Sequence, residues 1–177
     1  MLEKMRRVVT GHDKGGKSMV LIDGPPGTIV ERGLAGLGEV WITDGSPADN
    51  SGKKDSSKRK LRLEPPKRGS VIRFFTIAPE QQGVSAAEME KEFAATFKAI
   101  GGKDARVDTS RHPGMHTTKT VDYIIVLDGE VTLILDRENV KLKPFDVVVQ
   151  RGTNHAWTNP GTKPALLAGV LIDAKKL

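Results

Sequence analysis

The chain has 177 residues, a net charge of +6, 37% hydrophobic residues and no cysteine. That length suits one domain with an arm, and the missing cysteine excludes disulfides and thiolate metal sites. The longest apolar run, 165–172, is far short of the roughly 20 residues that span a bilayer, and residues 1–7 lack the apolar core of a signal peptide, so a soluble, cytoplasmic protein without a membrane partner is expected.

The charge is unevenly placed. Residues 1–68 hold 14 Lys and Arg against 9 Asp and Glu, whereas residues 69–177 hold 14 against 13. The basic run around residues 50–60 carries no aromatic on which bases could stack. A solvated loop is therefore the preferred reading, and no nucleic-acid partner is expected.

Residues 6–10 and 18–22 read as short strands. Between them, Gly11-His12-Asp13-Lys14-Gly15-Gly16-Lys17-Ser18 matches the phosphate-loop pattern G-x-x-x-x-G-K-[ST]. That pattern works only when a helix starts at the Lys-Ser pair and turns its N-terminus to the phosphates. A β-branched apolar run and Asp23-Gly24-Pro25-Pro26-Gly27 follow instead, so a hairpin loop is expected. Residues 39–43 form the next predicted strand. Residues 44–60, rich in Gly, Ser, Asp, Asn and Lys, have little apolar surface to bury and read as mobile. Residues 70–77 are a strand closed by Pro79.

Residues 85–100 are the one predicted helix. Ser85 and Glu88 form an S-x-x-E capping box, and Gly101-Gly102 ends the helix. Met89, Phe93, Phe97 and Ile100 make one apolar stripe, read as a packing face over a sheet or at a subunit contact. From residue 106 onward the pattern is all β. Short strands at 123–127, 131–135, 140–142, 147–150, 156–158 and 165–172 alternate with turn residues, as in an antiparallel sandwich or barrel.

Two polar clusters flank these strands. The first, residues 112–129, gathers His112, His116, Asp122 and Tyr123; the second is Gln150-Arg151-Gly152-Thr153-Asn154-His155. On a straight strand Asp122 would lie about 20 Å from His116, at roughly 3.3 Å per residue. One ion cannot bridge that, so a bend at 117–120 is expected, with Asp122 opening the next strand and His155 arriving from a later one. Tyr123 should face away from Asp122. His12 and His112 are assigned no role.

These clusters resemble the two motifs of the cupin superfamily. His116-Thr117-Thr118 stands in the H-x-H place, Asp122 in the Glu place and Gly129 in the final Gly place. Gly152, His155 and Asn159 keep the spacing of the second motif, with Gln150 where Pro is usual and Phe145-Asp146 where Gly-Asp is usual. The resemblance covers about residues 105–173. It implies an all-β, cupin-like double-stranded β-helix (jelly-roll) barrel with one peripheral helix and an N-terminal strand arm. Residues 1–45 are then an N-terminal β arm, 46–68 a mobile basic loop and 69–177 the barrel, one domain overall and a homodimer. It also implies a divalent metal, Fe, Mn, Ni or Zn, held by His116, Asp122 and His155, which are the catalytic candidates. Thr118, Arg151 and Trp157 are candidates for touching a small-molecule substrate. The expected function is a lyase or dioxygenase type of enzyme acting on a small organic acid or carbonyl compound by decarboxylation, dehydration or oxygen-dependent cleavage. The alternatives are a non-catalytic ligand-binding or sensor barrel, favoured by Thr118 in a histidine's place, and a metal-free acid–base isomerase or dehydratase.

Overall fold

The computed structural model describes residues 1–33, 35–80 and 83–175; the last two residues of the expected 69–177 unit lie outside them. Strands β1 (Arg7–His12) and β2 (Ser18–Gly24) pair antiparallel as a separate two-stranded ribbon. The backbone N–H groups of Gly15 and Lys17 donate to the Asp13 carboxylate at 2.8 and 2.9 Å. A side chain thus holds the donors that a phosphate would need, and a strand follows where the phosphate loop requires a helix.

Six strands form the larger sheet, in the order β3 (Thr28–Arg32), β4 (Ala35–Thr43), β5 (Ser70–Ile77), β11 (Ala165–Asp173), β6 (Thr120–Asp128) and β9 (Val147–Gln150). Three form a second sheet, in the order β10 (His155–Thr158), β7 (Val131–Leu135) and β8 (Asn139–Leu142). The nearly continuous apolar run of β11 is explained by its place between β5 and β6. Strand β6 alternates instead: Thr120, Asp122, Ile124 and Val126 are buried, and Tyr123 is exposed. Ile124 and Val126 pack with Ala165 and Leu167 of their own sheet and with Val131 and Leu133 of the other. The two sheets therefore meet face to face across one apolar core.

The closed jelly-roll barrel is corrected by this topology. Among the described residues the strands form three open sheets, and β3, β9, β10 and β8 remain edges. The physical reason is length. Strands β8, β9 and β10 have four residues each, too few to twist round and pair with the opposite sheet. The expected arm also divides: β1 and β2 stand apart, while β3 and β4 extend the larger sheet.

Helix α1 (Ala86–Ala99) starts as expected. The Ser85 hydroxyl accepts from Glu88 N at 3.3 Å, and the Glu88 carboxylate accepts from Ser85 N at 3.0 Å. Of its apolar stripe, Phe97 is buried, and it faces the candidate site described below. Phe145 adopts φ 74°, a left-handed backbone that favours glycine, at the position where the resembling motif carries glycine.

The segment between β4 and β5 has anchors that its composition does not announce. Asp55 and Ser57 accept hydrogen bonds from the buried Arg7 guanidinium, and Ser57 and Leu61 are buried. Further on, Leu63 N donates to Ile100 O at 2.8 Å, and the Glu64 carboxylate accepts from Lys119 N at 2.9 Å.

Candidate functional site

The two motif histidines meet. His116 lies outside any strand but forms a single antiparallel bridge with His155, with N–H···O distances of 2.9 and 3.0 Å. Residues opposed in this way project to the same side, and the two imidazole centroids are 4.3 Å apart at 44°. Phe97 of α1 covers the His116 ring at 4.7 Å, and Trp157 approaches His155 edge-on at 6.1 Å. Gly152 lets the second motif close on the first: it has φ 61°, and a Cβ there would meet the Thr118 carbonyl at 2.9 Å.

Each imidazole has a defined tautomer. Nδ1 of His116 lies 2.9 Å from the Gly114 carbonyl, and Nδ1 of His155 lies 2.9 Å from the Thr153 carbonyl. A carbonyl only accepts, so Nδ1 carries the proton in both rings and Nε2 keeps its lone pair. Burial, reinforced by the neighbouring His155, pushes His116 down to about 3, and burial pushes His155 down to about 4. Both rings are neutral at pH 7.

Asp122 does not join them. The bend at 117–119 carries the chain from the His116–His155 bridge into β6 of the larger sheet, where Asp122 stands opposite Gln150 and Leu171. Among the described residues no group of three or more His, Cys, Asp or Glu is arranged to hold a metal ion. The expected metal-binding set of His116, Asp122 and His155 is corrected on that ground. Two converging imidazoles are the donors that the described residues bring together here. Thr118 does not stand in for a third: its hydroxyl lies 2.6 Å from that of Thr120 and is buried beside β6.

Asp122 has its own environment. Burial pushes its carboxyl up to about 6, against a Thr120 hydrogen bond and the charge of Arg73, with Glu64 adding to the rise. Its Oδ1 is buried with no hydrogen-bond partner among the described residues. Of the other expected contacts, Trp157 packs on the edge of the core. Arg151 is exposed and lines an outer cleft of about 360 Å³ with Glu64, Thr118, Lys119 and Thr120; neither motif histidine lines that cleft.

Three side chains of this region have no place in the sequence reading of the site. Phe97 was visible only as part of an apolar stripe. Glu39 and Arg73 form a buried ion pair at 3.1 Å between β4 and β5. The available signal was Arg73 itself, the one charged residue in Ser-Val-Ile-Arg-Phe-Phe-Thr-Ile.

A family described as "Cupin domain" matches residues 105–172. Phomopsin biosynthesis cluster protein C' of Diaporthe leptostromiformis is 30% identical over 184 residues, covering 99% of this chain and 82% of that protein. The cupin-domain-containing oxidoreductase srdD of Neurospora crassa is 29% identical over 185 residues, covering 99% of this chain and 79% of that protein. Among solved structures, a Cupin 2 conserved barrel domain protein from Salinispora arenicola is 20% identical, with a TM-score of 0.38, and the match covers 59% of this chain and 64% of that one. No helix among the described residues is long and apolar enough to cross a membrane.

Proposed function

The chain belongs to the cupin superfamily, and from that premise we propose that it is a small-molecule enzyme that moves protons with Asp122, the neutral His116–His155 pair accepting hydrogen bonds from a bound molecule. Relatives named cupin-domain-containing oxidoreductases, matching along nearly the whole chain, support catalysis. The observation that carries the reading is Asp122: a buried carboxyl with an unpaired oxygen, raised to about 6, on the sheet that faces the one bearing His155, to which His116 is bridged.

A carboxyl tuned in this way suits general acid–base work near neutral pH. A carboxyl raised to about 6 both accepts and returns a proton, while the two neutral imidazoles offer Nε2 as a hydrogen-bond acceptor. On a hydroxy-carbonyl compound this chemistry takes the proton from the hydroxyl-bearing carbon while the carbonyl oxygen gains one, and the resulting enediol then gains a proton on the former carbonyl carbon as its other hydroxyl gives one up. One carbon is thereby oxidised and the next reduced, with no external electron acceptor. Such an isomerisation is an internal oxidation–reduction. Thr118, in a place where a histidine is usual, favours a second reading as a ligand-binding module without turnover.

Solvent exchange separates the two. A panel of small hydroxy-aldehydes and hydroxy-ketones is incubated with the protein in deuterium oxide and followed by mass spectrometry. Proton transfer predicts deuterium uptake into at least one compound, slowed about 100-fold or more by Asp122→Asn with the circular dichroism unchanged. Uptake into none of them, or the same rate in Asp122→Asn, overturns the proposal and leaves the binding module.

A further inference from the structure

The outer face of the larger sheet lacks the polar side chains that a solvated face carries. An antiparallel sheet with one face on the core normally turns a polar face outward. Ile124 and Val126 of β6 face the core, so Tyr123 and Ile125 project to the other side. The register extends that side over the neighbouring strands. Tyr123 stands between Val149 of β9 and Val170 of β11, and Ile125 stands opposite Val147 of β9. Val170 in turn stands opposite Ile72 of β5, and Ile172 follows it on β11. Opposed residues share a face, and none of these side chains is charged.

Much of this face is open in the single chain. Tyr123 is 43% exposed, Val147 59%, Val149 55% and Ile172 36%. The face also runs out to an edge. Strand β9, Val147-Val148-Val149-Gln150, has β6 on one side only, and it holds none of the Lys or Pro residues that keep an open edge from pairing. A contiguous apolar patch of this kind marks a surface that another molecule covers.

Shape, charge and area decide what covers it. Two pleated sheet faces pack on one another about 10 Å apart, and a two-fold axis between them sets the same patch of each copy against the other. A surface without charge suits a permanent interface rather than a transient one, and a second copy is present wherever the chain is. The net charge of +6 does not oppose the approach. Residues 1–68 hold 14 Lys and Arg against 9 Asp and Glu, whereas residues 69–177, which include β5, β6, β9 and β11, hold 14 against 13. At roughly 150–250 Å² for a whole large side chain, the exposed parts of the apolar face over β4, β5, β6, β9 and β11 come to about 500–700 Å² per copy. Two copies then bury about 1,000–1,400 Å², the lower end of specific interfaces.

We infer that the outer face of the larger sheet is a self-association surface, on which β6, β9 and β11 of one copy lie face to face with the same strands of a second copy. Asp122 and Gln150 alternate with Tyr123 and Val149 along β6 and β9, so they project to the inner side. The pairing therefore leaves the region between the two sheets of each copy uncovered.

The test measures mass in solution. Sedimentation equilibrium of the full chain at about 10 µM is expected to give twice the chain mass. Tyr123→Lys and Val149→Lys each put a charge into the apolar face. Each should weaken the dimer about 100-fold or more and leave a monomer at that concentration, with the circular dichroism of the wild type. Val107→Lys is the control: Val107 is 72% exposed but precedes β6 and lies off the sheet, so the dimer should be unchanged. A further readout needs no variant. Tyr123 is the one tyrosine of the chain, and in the dimer tetranitromethane should nitrate it about tenfold or more slowly than a free tyrosine amide. A wild-type chain that is monomeric at about 100 µM, a dimer that survives both face substitutions, a dimer that Val107→Lys dissociates equally, or a Tyr123 that reacts like the free amide overturns the inference.

Discussion

Two buried guanidinium–carboxylate pairs hold the segment between β4 and β5, and they differ in how completely they are satisfied. Arg7 donates from Nε to the Pro25 carbonyl, from one terminal nitrogen to the Val40 carbonyl, Asp55 and Ser57, and from the other to Asp55. All three of its nitrogens are engaged, and the pairing holds the Asp55 carboxyl down at about 2. Arg73 reaches Glu39, Arg62 and Leu63, yet its Nε and Glu39 Oε2 lack partners among the described residues. Burial pushes the Glu39 carboxyl up and the Arg73 guanidinium down, against their mutual attraction. A closed network is a fastening, and an open one leaves hydrogen-bonding capacity unmet.

The largest effect should come from breaking the closed network. Asp55→Ala leaves Arg7 buried without its counter-ion, and urea unfolding should show a loss of about 3–5 kcal/mol. A loss under about 1 kcal/mol would mean that Arg7 finds water and the network is no fastening.

Acid comes next and separates the histidine pair from both arginine clusters. The folded state holds His116 and His155 at about 3 and about 4, below their ordinary 6.5, so it binds fewer protons than the unfolded chain. Their contribution is intact above pH 6.5 and is lost as pH falls through that value toward 4, by roughly 3 kcal/mol for His155 once it is fully charged. Asp55, lowered from 3.8 to about 2, gives way only below pH 4. Replacing both histidines by Gln should flatten the stability curve between pH 6.5 and 4. A curve unchanged in the variant would place the acid sensitivity elsewhere.

Asp122 has the opposite sign. Its folded value of about 6 lies above the ordinary 3.8, so its ionisation costs stability as pH rises through that window. Asp122→Asn should therefore stabilise the protein by about 1–2 kcal/mol at pH 8 and have little effect at pH 4. Thermal melts at the two pH values check this, and a destabilised variant at pH 8 contradicts it. The smallest change should come from the open pair. Replacing Glu39 and Arg73 together by Gln and Met removes both charges at once, and unfolding should shift by less than about 1 kcal/mol. A loss as large as that of Asp55→Ala would erase the distinction between the two clusters.

Much of the fold was legible because it follows local periodicity. The strands at 70–77, 131–135 and 147–150 have the bounds that their alternating or apolar runs predict. Helix α1 starts at its capping box and stops before Gly101 for the same reason. Strand β3 and the first half of β4 were not legible, since Gly36 and Gly38 interrupt the apolar run and weaken the signal. In the site, the meeting of His116 with His155 was legible from motif spacing. The bend before Asp122 and its place near the start of the next strand were legible too; that Asp122 does not form one cluster with the two histidines was not, because it depends on how the two sheets pack.

The sequence by itself determined which residues alternate, where the helix is capped, and that two histidines 39 positions apart belong to one site. Only the tertiary structure decided that the sheets stay open, that Asp122 leaves the histidines, and that Glu39 meets Arg73. Local pattern reports the face on which a side chain lies, since the backbone repeats every two or 3.6 residues. It does not report which face of another strand comes opposite. That depends on register and sheet order, which are set by the packing of the whole core.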